Sequence, residues 1–179
     1  MLAGTIYTDG SGLRAKRPST SRAGWGIAVL REGAVLVTGA LRGPLPLFAQ
    51  TVGCAEIYAA TMALRYAVPP VVIATDYQRL VDGWRLGEDA YDAEGARCEE
   101  AWRLFWATAK DFGIAYVRVR KVPAHLPRSA IAEGKVSLAD WTGNRAADLE
   151  SKRGAHMHPP LKLSCRACQR AARHSAGAV

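Results

Sequence analysis

The chain has 179 residues and a formal net charge of +8 at pH 7, and 49% of its residues are hydrophobic. Such a length and apolar share are typical of one folded domain and exclude a largely disordered chain. The sequence contains neither an apolar run long enough for a membrane span nor a signal peptide, so we expect a monomeric intracellular protein. Both ends are basic and the segment 82–103 is acidic, so a nucleic-acid partner would meet the ends.

The first part of the chain predicts three β-strands. Residues 5–8 and 25–30 are β-prone runs, and between them residues 12–24 form a basic stretch that is typical of an exposed loop. After a turn at residues 31–33, a third strand is predicted to start at residues 34–38. The short turn between the second and third strands favours an antiparallel meander.

The pattern then changes to alternating helices and strands. Residues 54–67 space their apolar positions as a helix does, and Pro69-Pro70 ends that helix. Residues 71–75 are an apolar run that predicts a strand buried on both faces. The next predicted elements are a short helix at 77–84, the longest helix at 94–112 and a last strand at 114–122.

The end of the chain divides into an irregular stretch, a short helix and a tail. Residues 123–143 are predicted to be irregular, and residues 144–152 to form a helix that Gly154 closes. We therefore place the catalytic domain at residues 1–154 and a flexible basic tail at 155–179. The tail contains residues that could bind zinc, namely His156, His158, Cys165, Cys168 and His174. Because their spacing is irregular, we expect a tail that aids nucleic-acid binding rather than a zinc site.

The order of these elements predicts an α/β fold. Helices between the later strands require parallel pairing, whereas the first three strands pair by turns. We expect a mixed five-stranded sheet, with three antiparallel strands followed by parallel strands, flanked by helices.

Four acidic residues stand at the ends of these elements. Asp9 and Asp76 each follow an apolar strand, Glu56 lies in an apolar helix, and Asp148 lies in the last helix. Each has an ordinary interpretation by itself, as a turn residue, a helix-start glutamate, an N-cap or a solvated charge. Together they predict a carboxylate cluster at the carboxyl ends of central strands, where repulsion would be relieved by Mg²⁺ or Mn²⁺.

The segments around these acids resemble the four acidic motifs of the ribonuclease H family, type 1, in order and in the elements between them. The matching segments are Thr8-Asp9-Gly10-Ser11, Ala55-Glu56-Ile57-Tyr58-Ala59-Ala60, Ala74-Thr75-Asp76 and Asn144-Arg145-Ala146-Ala147-Asp148. The resemblance covers about residues 4–154. It implies the ribonuclease H-like fold and a metal-dependent endonuclease that hydrolyses the RNA strand of RNA–DNA hybrids.

The resemblance also implies a role for each acid. Asp9 would bridge two Mg²⁺ ions, and Mn²⁺ could substitute for them. Asp148 would help to hold the ion that activates the attacking water, whereas Glu56 and Asp76 would hold the ion at the leaving group. The products would carry 5′-phosphate and 3′-hydroxyl ends. His125 matches the mobile histidine of the family, which assists proton transfer or product release.

Further residues match positions that touch or lie near the nucleic-acid backbone in the family. These residues are Gly10, Ser11, Thr51, Gln78 and Asn144. The enzyme would be either free-standing or part of a retroelement polyprotein with a polymerase or reverse transcriptase module.

The chain departs from the family pattern at three places. Val52-Gly53 replaces two polar amides that read the 2′-hydroxyl, which puts strict hybrid specificity in question. The acidic segment 87–94 replaces a basic protrusion of many bacterial members, so substrate binding should be weaker and less sensitive to salt. The gap of 23 residues between His125 and Asp148 is roughly twice the common length.

Two other interpretations stay open from the sequence. One is another nuclease or a strand transferase on the same fold, and stepwise shortening of a 3′-labelled single strand would favour it. The other is a nucleic-acid-binding module without catalysis, although such a module has no need of four mutually repelling carboxylates.

Overall fold

The computed structural model describes residues 1–13, 21–31, 35–46, 48–88 and 98–159. Part of the predicted basic loop, most of the acidic segment and the cysteines of the tail lie outside these residues. Within the described part of the chain, five strands form one sheet in the order β3-β2-β1-β4-β5. The strands are β1 (Leu2–Leu13), β2 (Arg22–Leu30), β3 (Val37–Pro44), β4 (Ala67–Thr75) and β5 (Val117–Lys121).

The sheet is mixed, as the sequence predicts. The pairs β1–β2 and β2–β3 are antiparallel, whereas β1–β4 and β4–β5 are parallel. The parallel pair places Thr8 of β1 beside Thr75 of β4. The residues that follow them, Asp9 and Asp76, therefore lie side by side, with Asp9 still inside β1, which continues to Leu13, and Asp76 directly after β4.

Helices cover both faces of the sheet. The described helices are α1 (Val52–Tyr66), α2 (Gln78–Leu86), α3 (Glu99–Phe112), α4 (Ser129–Ala132) and α5 (Leu138–His156). The larger hydrophobic core lies between the sheet and α1 and α3, and includes Ile6, Ile57 and Phe105. A smaller core lies on the other face beneath α5, around Tyr7 and Ala147. None of the helices in the described residues combines the length and apolar character that a bilayer span requires.

Helix α5 differs most from the prediction. It begins at Leu138 rather than at residue 144. Ser137 caps this start, because its hydroxyl accepts a 3.0 Å hydrogen bond from the Asp140 N–H. The prediction of an irregular stretch at residues 123–143 was therefore wrong for its last part and for α4. The prediction that Gly154 closes the last helix was also wrong, because α5 continues to His156. Gly143 lies inside α5 although glycine disfavours helix interiors. In the structure, a Cβ at Gly143 would lie 2.2 Å from the Tyr7 ring, so this glycine lets α5 approach the sheet.

Close backbone contact fixes α5 along its length. A Cβ at Gly26 of β2 would lie 2.2 Å from the Ser151 nitrogen, and one at Gly154 would lie 2.5 Å from the Gly43 oxygen. Real Cβ atoms do not approach other atoms this closely, so larger residues would push the helix outward. The helix that carries Asp148 is thereby held directly on the strands next to Asp9.

The other boundaries are close to those predicted, and the exceptions concern β3, β4, α3 and the start of the last strand. Strand β4 starts at Ala67 and includes Pro69 and Pro70, so the prolines lie within the strand. Strand β3 starts at Val37, later than predicted. Helix α3 starts at Glu99, and its predicted start at residue 94 lies outside the described residues. The last strand is preceded by a 3₁₀ turn at Ile114–Tyr116.

Candidate active site

Three carboxylates from three elements meet at the edge of the sheet. Asp9 near the end of β1, Glu56 near the start of α1 and Asp76 directly after β4 each offer an oxygen, and these oxygens lie within 4.8 Å of one another. Asp9 and Glu56 are buried, with 5% and 4% of their surface exposed. Three acids in this arrangement repel one another strongly unless they bind protons or cations.

Glu56 reaches the cluster because α1 lies directly against β1. A Cβ at Gly10 would lie 2.5 Å from the Glu56 nitrogen, so only glycine allows this approach. The Gly10 N–H donates a hydrogen bond to the Glu56 carboxylate, which lowers its pKa. Burial and the charges of Asp9 and Asp76 outweigh this effect and raise the pKa of Glu56 well above its usual value. The Oε2 atom of Glu56 is buried and has no partner among the described residues.

Asp9 is similarly perturbed. Burial, together with repulsion by Asp76 and Asp148, raises the pKa of Asp9 from 3.8 to about 7. A hydrogen bond that the Ser151 hydroxyl donates to Asp9 Oδ2 opposes this rise. Ser151 was not predicted as a site residue. Its position three residues after Asp148 on one helix is the signal that could have indicated it, because residues i and i+3 share a helix face.

Asp148 lies beside the three-carboxylate cluster rather than within it. It stands on α5 and accepts a 2.8 Å hydrogen bond from Lys152, one helical turn later. Its charge nevertheless contributes to the raised pKa of Asp9. All four predicted acids therefore lie at one edge of the sheet.

Two further side chains hold Asp76. The Asn144 side-chain amide donates to Asp76 Oδ2 at 3.1 Å, and the Lys121 ammonium donates to the Asp76 carbonyl oxygen. Asn144 is buried, and its Oδ1 atom has no partner among the described residues. Lys121 was not predicted as a site residue, although it ends the strand next to β4.

His125 lies on the loop after β5, close to Asp148. It has a φ of 46°, a left-handed conformation that is uncommon for residues other than glycine. It is exposed and lines a groove of about 430 Å³ together with Asn144 and Asp148. The structure therefore brings His125 to the same side of the molecule as the acids.

The predicted nucleic-acid contacts surround the cluster. Gly10 and Ser11 follow Asp9 on β1, and Thr51 caps α1 by accepting a 3.2 Å hydrogen bond from the Cys54 N–H. Gln78 begins α2 and is exposed. A Cβ at Gly53 would lie 2.7 Å from the Tyr77 hydroxyl, so Tyr77 takes the space beside Gly53, where the sequence departs from the family pattern.

The donor atoms fit a hard divalent cation. The three converging groups supply only carboxylate oxygens, which are the ligands that Mg²⁺ and Mn²⁺ prefer. The Glu56 Oε2 atom, buried without a partner, is the feature that a cation would satisfy. The raised pKa values of Asp9 and Glu56 share two causes, of which burial is the larger and the charge of neighbouring carboxylates the smaller.

Comparison with known proteins identifies the family. The RNase H family model matches residues 2–156. No curated protein sequence matches the chain. Among solved structures, the RNase H domain of prototype foamy virus is 20% identical, with a TM-score of 0.61 over 85% of this chain and 93% of that one. LC9-RNase H1, described as a type 1 RNase H with the type 2 active-site motif, is 18% identical, with a TM-score of 0.59 over 96% of this chain and 81% of that one.

A larger protein contains the same fold as one of its parts. The foamy viral protease–reverse transcriptase, solved in complex with an RNA/DNA hybrid, is 18% identical and has a TM-score of 0.62. The match covers 86% of this chain and only 20% of that one. At these identities the neighbours establish the fold, and the family model establishes the family. The chain belongs to the ribonuclease H family, and its activity is that of a nuclease that acts on RNA–DNA hybrids.

Proposed function

We propose that this ribonuclease H cuts the RNA strand of hybrids internally, using two divalent metal ions that Asp9, Glu56, Asp76 and Asp148 hold. The observation that carries the proposal is the convergence of carboxylate oxygens from β1, α1 and the end of β4 within 4.8 Å. The products would have 5′-phosphate and 3′-hydroxyl ends.

The acids differ in what they can do. Bound at this cluster, the two ions would make a water nucleophilic and stabilise the oxygen that leaves the phosphate. Asp9 is the candidate to contact both ions, because it belongs to the three-carboxylate cluster and also lies close enough to Asp148 for that charge to act on it. Glu56 and Asp76 would hold one ion, and Asp148 would share the other with Asp9. Ser151 positions Asp9 through its hydrogen bond.

His125 is the candidate for proton transfer or product release. Its imidazole is exposed on a loop and lines the groove that also contains Asp148. An imidazole can both accept and donate a proton, which suits either role.

Binding of the substrate would use groups on both sides of the cluster. Gly10, Ser11 and Thr51 lie on the α1 side, Gln78 begins α2, and Asn144 lies on the α5 side. These residues would contact the sugar–phosphate backbone. The pair formed by Gly53 and Tyr77 would replace the amides that check the 2′-hydroxyl.

A polymerase or reverse transcriptase module is the proposed protein partner. The support is that the same fold occurs in the foamy viral protease–reverse transcriptase, as one of its parts. Such a module would supply substrate affinity that the acidic segment 87–94 does not.

The test is cleavage of one labelled RNA strand offered as hybrid, as duplex RNA and as a single strand. Each substrate is incubated with Mg²⁺, with Mn²⁺ and with chelator, using wild-type protein, Asp9→Asn and the exposed control Asp111→Asn. We expect metal-dependent internal cuts in the hybrid, lost only in Asp9→Asn. Ligation of the products reports the 5′-phosphate and 3′-hydroxyl ends.

Other outcomes would redirect the proposal. Cleavage of duplex RNA as well would show that Gly53 and Tyr77 do not restrict the sugar. Stepwise shortening from the 3′ end would favour an exonuclease on this fold. Binding of the hybrid without cleavage by wild-type protein in either metal would contradict catalysis by this chain alone.

A further inference from the structure

The groove beside the carboxylate cluster contains a cation that the catalytic proposal does not use. Trp141 and Arg145 stand one turn apart on α5, and the Arg145 guanidinium carbon lies 5.2 Å from the centre of the Trp141 ring. Both line the groove of about 430 Å³ that contains His125, Asn144 and Asp148. We call this the Arg145 groove.

Arg145 is held in place without being neutralised. A guanidinium within about 6 Å of an indole centre is attracted to the ring face, which restricts its rotamers. Trp141 is itself fixed, because its Nε1–H donates to the Leu126 carbonyl at 2.9 Å. Among the described residues no carboxylate forms an ion pair with Arg145, whereas Lys152 is paired with Asp148. The groove therefore presents one oriented and unpaired arginine charge.

We propose that the Arg145 groove binds a backbone phosphate of the cleaved strand, next to the phosphate that is cut. This inference rests on the proposed function, because Asn144 and Asp148 belong both to the groove and to the candidate active site. Arginine binds phosphate oxygens through two parallel N–H groups, and its orientation by Trp141 reduces the entropy lost on binding.

A phosphate fits this groove better than a base does. Trp141 would be the only large aromatic surface among the described groove residues for a base to stack on, and Arg145 already lies over that ring. The edge of the indole is occupied by its hydrogen bond to Leu126. The negative charge of Asp148 is offset by Lys152 at 2.8 Å, so Arg145 gives the groove a net positive charge towards an incoming anion.

Residues between His125 and Asp148 build this groove. Leu126 follows His125 directly, and Trp141 lies in the first turn of α5, in the part of the helix that precedes residue 144. This stretch of the chain would thus add a substrate contact beside the cut site. It would partly compensate for the acidic segment 87–94.

The test compares Arg145→Ala, Arg145→Lys and Trp141→Leu with Arg65→Ala. Arg65 is an exposed arginine in the last turn of α1, nine residues beyond Glu56 and so about 13 Å along the helix. Hybrid cleavage gives KM and kcat, and fluorescence anisotropy gives hybrid affinity over a range of salt concentrations. A series of hybrids, each with one neutral methylphosphonate in the RNA strand, locates the phosphate.

For Arg145→Ala we expect KM and the hybrid dissociation constant to rise roughly tenfold with little change in kcat. The slope of log affinity against log salt should fall by about one, as for the loss of one phosphate contact. One methylphosphonate next to the cut should weaken wild-type binding but have no further effect in Arg145→Ala. The KM, hybrid affinity and salt slope of Arg145→Lys and Trp141→Leu should lie between those of wild type and Arg145→Ala. Each of these two variants keeps the positive charge at residue 145 but loses part of its orientation.

Equal affinities and salt slopes for Arg145→Ala and Arg65→Ala would overturn the inference. So would a methylphosphonate effect that persists unchanged in Arg145→Ala at every position, because the groove would then hold something other than a phosphate. If wild-type protein binds the hybrid without cutting it, the proposed function fails, whereas the anisotropy and methylphosphonate results still decide the role of Arg145.

Discussion

Replacing Asp9 with asparagine should stabilise the metal-free protein at alkaline pH. The fold raises the pKa of Asp9 from 3.8 to about 7, chiefly by burial. A carboxyl with a raised pKa contributes stability below its unfolded pKa and loses that contribution as the pH rises through the folded value. Wild-type protein in chelator should therefore lose stability between about pH 4 and pH 7 through this group.

The size of the effect follows from the pKa values. Each pKa unit corresponds to about 1.4 kcal/mol, so the rise from 3.8 to about 7 means that ionising Asp9 in the fold costs about 4 kcal/mol. Asparagine removes the charge and keeps an oxygen that can accept from Ser151. The amide also lowers the repulsion on Glu56. We expect the free energy of unfolding of Asp9→Asn to exceed that of wild type by about 2 to 4 kcal/mol at pH 8.

The assay is urea unfolding followed by circular dichroism, at pH 4.5 and pH 8, in chelator and at constant ionic strength. The exposed control Asp111→Asn should match wild type at both values. Adding Mg²⁺ at pH 8 should stabilise wild type and not Asp9→Asn, because a ligand of the folded state alone raises the free energy of unfolding. The reasoning from buried charge is refuted if Asp9→Asn is no more stable than wild type at pH 8. It is also refuted if Asp9→Asn is more stable than wild type by the same amount at pH 4.5 and at pH 8.

Two further substitutions test how α5 is held. Gly26→Ala should destabilise the fold by about 1 to 3 kcal/mol and reduce cleavage, since its Cβ would lie 2.2 Å from a backbone nitrogen of α5. Gly39→Ala, which meets only a side-chain carbon at 3.2 Å, is the control, and equal losses for both in thermal unfolding would contradict the clash. Asp140→Ala should lower the free energy of unfolding by about 1 to 3 kcal/mol at pH 7, because Tyr7 and Arg120 both donate hydrogen bonds to this carboxylate. These bonds lower the pKa of Asp140, so the difference from wild type should shrink as the pH falls through that lowered value, in urea titrations.

Apart from the short helix α4, the local sequence was enough to predict the order of strands and helices and the positions of the acids. Apolar periodicity and turn residues act over a few positions, so they indicate each element without the rest of the fold. The motifs around Asp9, Glu56, Asp76 and Asp148 could also be related to a family, since each is a short continuous segment. The cap formed by Ser137 and Asp140 was visible in the same way and would have predicted the true start of α5.

Contacts between distant residues could not be predicted in this way. Ser151 binds Asp9 across 142 positions, Gly143 makes room for the Tyr7 ring, and Arg145 becomes oriented only because Trp141 is fixed by the Leu126 loop. Gly143, the last residue of the predicted irregular stretch, is a place where a helix approaches the sheet. The sequence by itself determined which groups carry charge. The tertiary structure decided which charges face one another without water, and so their pKa values and their need for a cation.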